Sequence, residues 1–215
     1  MASKAKGENL RFILKWVNIL SSSLEVPYIL DTLMEAAKDL THSEASSLLL
    51  MDEERGDLYF VSATGGAKKE LAGLRVPVGK GIAGWVAYHK KPVIVKDTSV
   101  DKRFYKGIDK KTGFTTRSIL CVPLIDPEES KTLGVIEALN KKKGSFTEED
   151  KETLLLFAEA ASNILVNAFK YDRLRHGLDS LREEIDVQYE LAVSYTHLRA
   201  HETRHDLVCR LLLEK

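Results

Sequence analysis

The sequence predicts an α+β domain: a central antiparallel β-sheet flanked by helices, with a long helix at each end of the chain. Three observations predict it. Apolar residues alternate or run in short β-branched blocks over Ser46–Met51, Leu58–Ala63, Ser118–Ile125 and Leu133–Leu139, as strands do. The first two blocks are joined by Asp52-Glu53-Glu54-Arg55-Gly56-Asp57, a polar hairpin loop that makes neighbouring strands antiparallel. Toward both termini the apolar spacing changes to three and four residues, the period of an amphipathic helix.

Taken in order, residues 1–25 form an N-terminal amphipathic helix. Its seam is Leu10, Ile13, Val17, Leu20 and Leu24. The seam serves either to lie on its own domain or to pair with a second copy of the chain. Pro27 suits the first turn of a second helix, where its missing N–H costs nothing, and Ile29, Leu33, Ala36, Ala37 and Leu40 form the buried stripe. After the hairpin, Leu74, Val76 and Val78 alternate as a short strand that stops at Gly79. Gly79-Lys80-Gly81 opens a helix carrying Ile82, Trp85, Val86 and His89, which ends at Lys90-Lys91-Pro92. Val93-Ile94-Val95 is a strand closed by Asp97. A polar loop with Phe104, Tyr105 and Phe114 leads to the last two strands.

Beyond them Thr147 and Asp150 have capping-box spacing at a helix start. Phe157, Ala161, Ile164, Ala168, Tyr171, Leu174, Leu178, Leu181 and Ile185 keep the three–four spacing, with charged neighbours such as Arg173 and Glu183. That pattern describes a coiled coil leaving the domain. Gly177 weakens it by about 1 kcal/mol.

The segments VGKGIAGWVAYHKKPVIVKD, RFYKGIDKKTGFTTRSILCVPL and LGVIEALNKKKGSFTEEDKETL, in this order, resemble the GAF domain family. The resemblance implies a GAF domain over residues 26–170, followed by a coiled-coil signalling linker over 171–192. It also implies a ligand pocket between the sheet and the loops after the Trp85 helix. Trp85, Phe104, Tyr105, Phe114, Arg117 and Glu137 are the pocket candidates, supplying apolar walls, an anion clamp and a polar handle. The competing reading is that the aromatics close a small core and Arg117 pairs with a carboxylate. Asn140, Lys141, Phe146 and Asp150 partly match the signature of cyclic-nucleotide-binding relatives, with Lys151 where that signature has Glu. The favoured reading of these four is structural: turn, core and helix start.

Composition narrows the function classes. Thirty-two basic residues balance 32 acidic ones, so no nucleic-acid-binding surface is indicated in bulk. The runs Lys110-Lys111 and Lys141-Lys142-Lys143 read as solvated. Two cysteines cannot build a disulfide framework, which fits a reducing cytoplasm. No apolar run reaches the ~18 residues of a membrane span, and the polar N-terminus is not a signal peptide. Gly79–Gly84 matches G-x-G-x-x-G but lacks the βαβ unit and the acid about 20 residues on that a dinucleotide fold requires. A P-loop needs a Ser or Thr after its lysine, and none follows Lys80. Cys121 sits in an apolar strand as a core residue. His42, His89 and His176 have no partner at ligand spacing, so no metal site and no catalytic constellation are expected.

Residues 193–215 are a separate case. His197, His201, His205 and Cys209 recur every fourth residue, yet on a helix they span roughly 18 Å, too far for one metal ion. The peptide resembles a translated transposon-library sequencing adapter. Val193–Glu202 can be written in codons that reproduce the adapter in frame, and Asp206–Glu214 follow its constant end. The natural sequence is therefore expected to differ after about Leu191, and sites built on this tail are set aside. Its removal takes three of six histidines and one of two cysteines.

The expected function is that of a cytoplasmic sensor and regulatory domain. It would bind a small molecule or partner, form a homodimer through its flanking helices, and relay the bound state to a covalently linked effector outside this fragment. An ATPase transcription activator, a kinase or a cyclic-di-nucleotide enzyme would serve as that effector. A ligand-free dimerisation module is the alternative, and catalysis by the fragment itself is not expected. No particular cofactor is indicated.

Overall fold

In a computed structural model, the backbone is described for residues 2–64, 71, 73–105 and 107–213. Side chains are described for residues 10–64, 71, 73–105, 107–109 and 111–185. Residues 1–169 form one compact unit and 170–215 another. The first contains α1 (Ala2–Leu20), α2 (Val26–Thr41), β1 (Ser43–Asp52), β2 (Asp57–Ala63), β3 (Arg75–Pro77), α3 (Gly81–His89), β4 (Val93–Val95), α4 (Gly107–Thr112), β5 (Ile119–Ile125) and β6 (Thr132–Lys141). It also holds the start of α5 (Glu148–Leu213), whose remainder makes up the second unit.

The six strands make one sheet in the order β3-β2-β1-β6-β5-β4, antiparallel at every pairing. Alternation along each strand divides its side chains between two cores. Leu48, Leu50, Leu120, Val122, Leu124, Ile136 and Ala138 face α1, α2 and the first turns of α5. Leu49, Ile119, Cys121 and Val135 face Ile82, Ala83, Val86 and Ala87 of α3. A sheet buried on both faces explains why β5 reads as an almost unbroken apolar run.

The helix expectations are met locally. Pro27 lies in the first turn of α2, and Ile29, Leu33, Ala36, Ala37 and Leu40 are buried. At α5 the Thr147 N–H donates to Asp150 Oδ2 (2.9 Å) and the Asp150 N–H donates to Thr147 Oγ1 (3.2 Å), a reciprocal capping box. The α1 seam is split: Ile13 and Leu20 are buried in the α2-side core, whereas Leu10 and Leu24 are exposed. The polar loop before β5 differs from expectation, since Gly107–Thr112 is a short helix. Asp109 holds it, accepting from the Thr116 N–H and the Thr116 hydroxyl, both at 2.8 Å. Helical periodicity cannot show in so short a segment, so only the tertiary bond reveals it.

In the second unit Tyr171, Leu174, Leu178, Leu181 and Ile185 are exposed. The side chains of the tail, including His197, His201, His205 and Cys209, lie outside the described residues. Among the described residues no helix is long and apolar enough to cross a membrane.

Candidate functional site

On the α3 side of the sheet a cavity of about 620 Å³ opens between the strands, the start of α3 and the β4–β5 connection. Its volume is within the range of small-molecule sites. Phe60, Leu74, Val76, Ile82, Phe104, Phe114, Ile119 and Leu139 give it apolar walls. Lys80, Lys102 and Lys111 are exposed residues that also line it.

Among the described residues two carboxylates reach this cavity. Asp109 is held by Thr116 as described. Glu137 is the more unusual, because it interrupts an apolar strand face between Val135 and Leu139 and is only 9% exposed. The register of β1 against β6 places Ser47 opposite Glu137, and the Ser47 hydroxyl donates to Glu137 Oε2 at 2.6 Å. Burial pushes the Glu137 carboxyl above its ordinary range; the Ser47 bond pulls the other way, and the charge of Asp109 adds to the rise. The Cys121 thiol, across the strand pair from Glu137, is raised well above its ordinary value, first by burial and then by that same carboxylate.

The direction of the Glu137 shift sets a pH dependence of stability. A carboxyl whose folded pKa is raised favours the native state fully only below its unfolded pKa, and that contribution is lost as pH rises through the folded pKa. Glu137→Gln should therefore melt above the parent at pH 7–8. The advantage should shrink toward pH 4, as thermal melts across that range would show. A constant difference at all pH values would mean that Glu137 titrates normally.

The six pocket candidates separate. Phe104, Tyr105, Phe114 and Glu137 line the cavity; Trp85 and Arg117 are not among its lining residues. Trp85 stacks on His89 with ring centroids 4.2 Å apart, and the Arg103 guanidinium lies 4.9 Å from its ring centre. Arg103 itself lines the cavity and is anchored by Asp101 (2.7 Å), whose carboxyl it holds below the usual range. Arg117 is mostly exposed and pairs with Glu44 at 2.5 Å. Arg75, at the β3 edge, is held by both Asp57 and Asp52, whose carboxyls it lowers.

The partial cyclic-nucleotide signature occupies a different place. Asn140 is buried with a left-handed backbone (φ 57°), and its Oδ1 accepts from the Arg117 N–H at 2.6 Å. Lys141 Nζ donates to Asp150 Oδ1 at 2.6 Å, and Phe146 is a buried core residue. None of the four lines the cavity.

Sequence reasoning missed Ser47, Arg103 and Asp109. For Ser47 a signal exists: it shares strand parity with Leu49 in an otherwise apolar run. For Asp109 there is none, because its role depends on a bond to Thr116 formed only in the folded loop. Among the described residues no group of His, Cys, Asp or Glu is arranged to hold a metal ion.

Comparison with known proteins agrees with this architecture. The family model described as "GAF domain" matches residues 23–166. A probable 3',5'-cyclic phosphodiesterase of Caenorhabditis elegans is 29% identical over 182 residues, covering 79% of this chain and 24% of that protein. A dual 3',5'-cyclic-AMP and -GMP phosphodiesterase 11A of Takifugu rubripes is 30% identical over 200 residues, covering 81% and 22% respectively. The chain thus spans about a quarter of the length of these curated relatives. Among solved structures, the GAF domain of a phosphoenolpyruvate-protein phosphotransferase from Acinetobacter aligns with TM-score 0.66 at 20% identity, over 77% of this chain and 98% of that one. Its counterpart from Coxiella burnetii aligns with TM-score 0.68 at 17% identity, over 77% and 96%. With its sheet order, its two-faced core and this family match, the chain belongs to the GAF domain family.

Proposed function

We propose that this GAF domain is a small-molecule sensor whose bound state is passed along α5 to an effector domain. The observation that carries the reading is the cavity of about 620 Å³ with aromatic walls and two carboxylates, Glu137 and Asp109. Phe104, Tyr105, Phe114 and Glu137 are its ligand-facing residues. Arg117 acts structurally through Glu44, and Trp85 acts by positioning Arg103. Asn140, Lys141, Phe146 and Asp150 serve the turn and the α5 start.

The relay reading rests on α5. Leu154, Phe157, Ala158, Ala161 and Leu165 are part of the α2-side core, and the same helix continues past Phe169 with Leu174, Leu178, Leu181 and Ile185 exposed at heptad spacing. Residues 171–192 are the signalling linker, residues 193–215 an adapter-derived tail, and the working form a cytoplasmic homodimer joined through the flanking helices. The fragment itself carries no catalysis; the phosphodiesterase activity of the relatives belongs to proteins about four times longer. The shift passed to the effector is bounded by the ligand's differential affinity for the two states.

Thermal melts of the chain against a metabolite panel test the sensor reading. A true ligand at about a hundred times its Kd should stabilise by about 2.7 kcal/mol, a rise of several degrees. If no compound raises the melting temperature, the domain is a ligand-free dimerisation module, the reading that the exposed α5 stripe favours. Light scattering then decides that second reading: the parent should be a dimer, and Leu178→Asp with Leu181→Asp should yield monomers.

A further inference from the structure

The cavity has one chemical demand that its apolar walls do not explain. Glu137 is buried on β6, and among the described residues no lysine, arginine or histidine forms an ion pair with it. Its hydrogen-bond partner among those residues is the Ser47 hydroxyl, which engages Oε2. Burying a carboxylate without a counter-charge is costly, and a site that retains one is poised either to hold a proton or to receive a donor. The charged groups around it sharpen the point. Asp109, another lining residue, adds negative charge, and Cys121 on β5 is a neutral thiol held from ionising. Among the described residues the cations that line the cavity lie elsewhere in it: Lys80, Lys102 and Lys111 are exposed, Arg75 is held by Asp52 and Asp57, and Arg103 by Asp101. Aromatic side chains, Phe60, Phe104 and Phe114, supply flat apolar surface in the same cavity.

We infer that the cavity selects a flat, apolar or aromatic molecule carrying an amine- or amidine-type N–H donor, with Glu137, set by Ser47, as the specificity-determining acceptor. The inference rests on the sensor reading above and goes further by naming the ligand's chemistry. A donor pair of the amidine type matches a carboxylate in a bidentate fashion, and the charge-assisted bond is strengthened where water is excluded.

Isothermal titration calorimetry on the full chain with two bicyclic probes of equal size tests this. One is 2-aminobenzimidazole, which presents an N–H and an NH₂ side by side; the other is 2-methylbenzoxazole, which has no N–H. The expected result at neutral pH is that the amine binds at least about tenfold more tightly. Glu137→Gln, which is isosteric and removes the buried charge, should erase that preference. Equal affinities in the parent, or a preference that survives Glu137→Gln, would overturn the donor inference while leaving the cavity a binding site. Binding of neither probe would overturn the inference, while the sensor reading falls only if the metabolite panel also leaves the melting temperature unchanged. The parent-only comparison stands even if the variant fails to fold.

Discussion

Asn140→Ala should lower the unfolding free energy by about 3–5 kcal/mol, among the largest effects of any single substitution in this domain. The residue lies next to the end of β6 with φ 57°, a left-handed backbone that an alanine adopts only at a cost of about 1 kcal/mol. Its Oδ1 accepts from the Arg117 N–H at 2.6 Å and from the Ser118 N–H at 3.3 Å. Its Nδ2 donates to the Thr115 carbonyl and to Glu44 Oε2, both at 2.9 Å. At 1% exposure water cannot replace these bonds, so each orphaned group carries its own desolvation penalty. Two further variants separate the causes. Asn140→Gly should recover the backbone share alone. Asn140→Asp keeps the acceptor but sets a carboxylate against Glu44, so its deficit should fall between the parent and alanine. Urea denaturation measures all three. A destabilisation under about 1 kcal/mol with loss of ligand binding would instead assign Asn140 to recognition.

The second large effect is expected at Gly134. This residue sits in β6 between β1 and β5, opposite Leu50 on one side and Leu124 on the other. A Cβ placed there would overlap the Leu49 carbonyl oxygen and lie 3.1 Å from the Leu50 Cα. Both obstacles are backbone of a central strand, so relief requires the β1–β6 pairing itself to move. Gly134→Ala should cost about 3 kcal/mol or more, measured as a fall in the urea midpoint with an unchanged slope. Gly177 provides the control. It lies in α5 with nothing within 4 Å of where an alanine methyl group would sit, so Gly177→Ala should stabilise the helix by up to about 1 kcal/mol. Equal effects at the two sites would mean that strand crowding is not what Gly134 relieves.

These two positions also mark how far the sequence could be read. Gly134 was legible only as a residue inside a strand. Its need for hydrogen in place of a side chain comes from the closeness of β1, a strand more than 80 residues earlier in the chain. Asn140 was legible as a turn residue, because asparagine tolerates the left-handed region. Its four hydrogen-bond partners come from β1 and from the segment entering β5, and no spacing rule points to them.

Local signals carried most of the architecture. The β-branched run Val93–Val95, the Pro27 start of α2 and the Thr147–Asp150 cap each depend on interactions within a few residues, and each appears where its own chemistry requires. The site was legible in part. Glu137, Phe104, Tyr105 and Phe114 were named as pocket residues through the family resemblance, the last three also as aromatics in a polar loop; all four line the cavity. Trp85 and Arg117 looked equivalent to them because residue type alone says nothing about direction. In the fold Trp85 takes His89 and Arg103 as neighbours, and Arg117 takes Glu44.

By itself, then, the chain determined its strands, its long helices and its membership of an α+β class, because period and capping are short-range properties of the backbone. The tertiary structure alone decided that Ser47 faces Glu137, that a six-residue helix is pinned by Asp109, and that a cavity remains beside them. The Ser47–Glu137 contact and the cavity depend on strand register and on contacts between distant segments, whereas the short helix depends on a side-chain bond within its own folded loop; a shift of one residue in register would send Glu137 to the opposite face of the sheet.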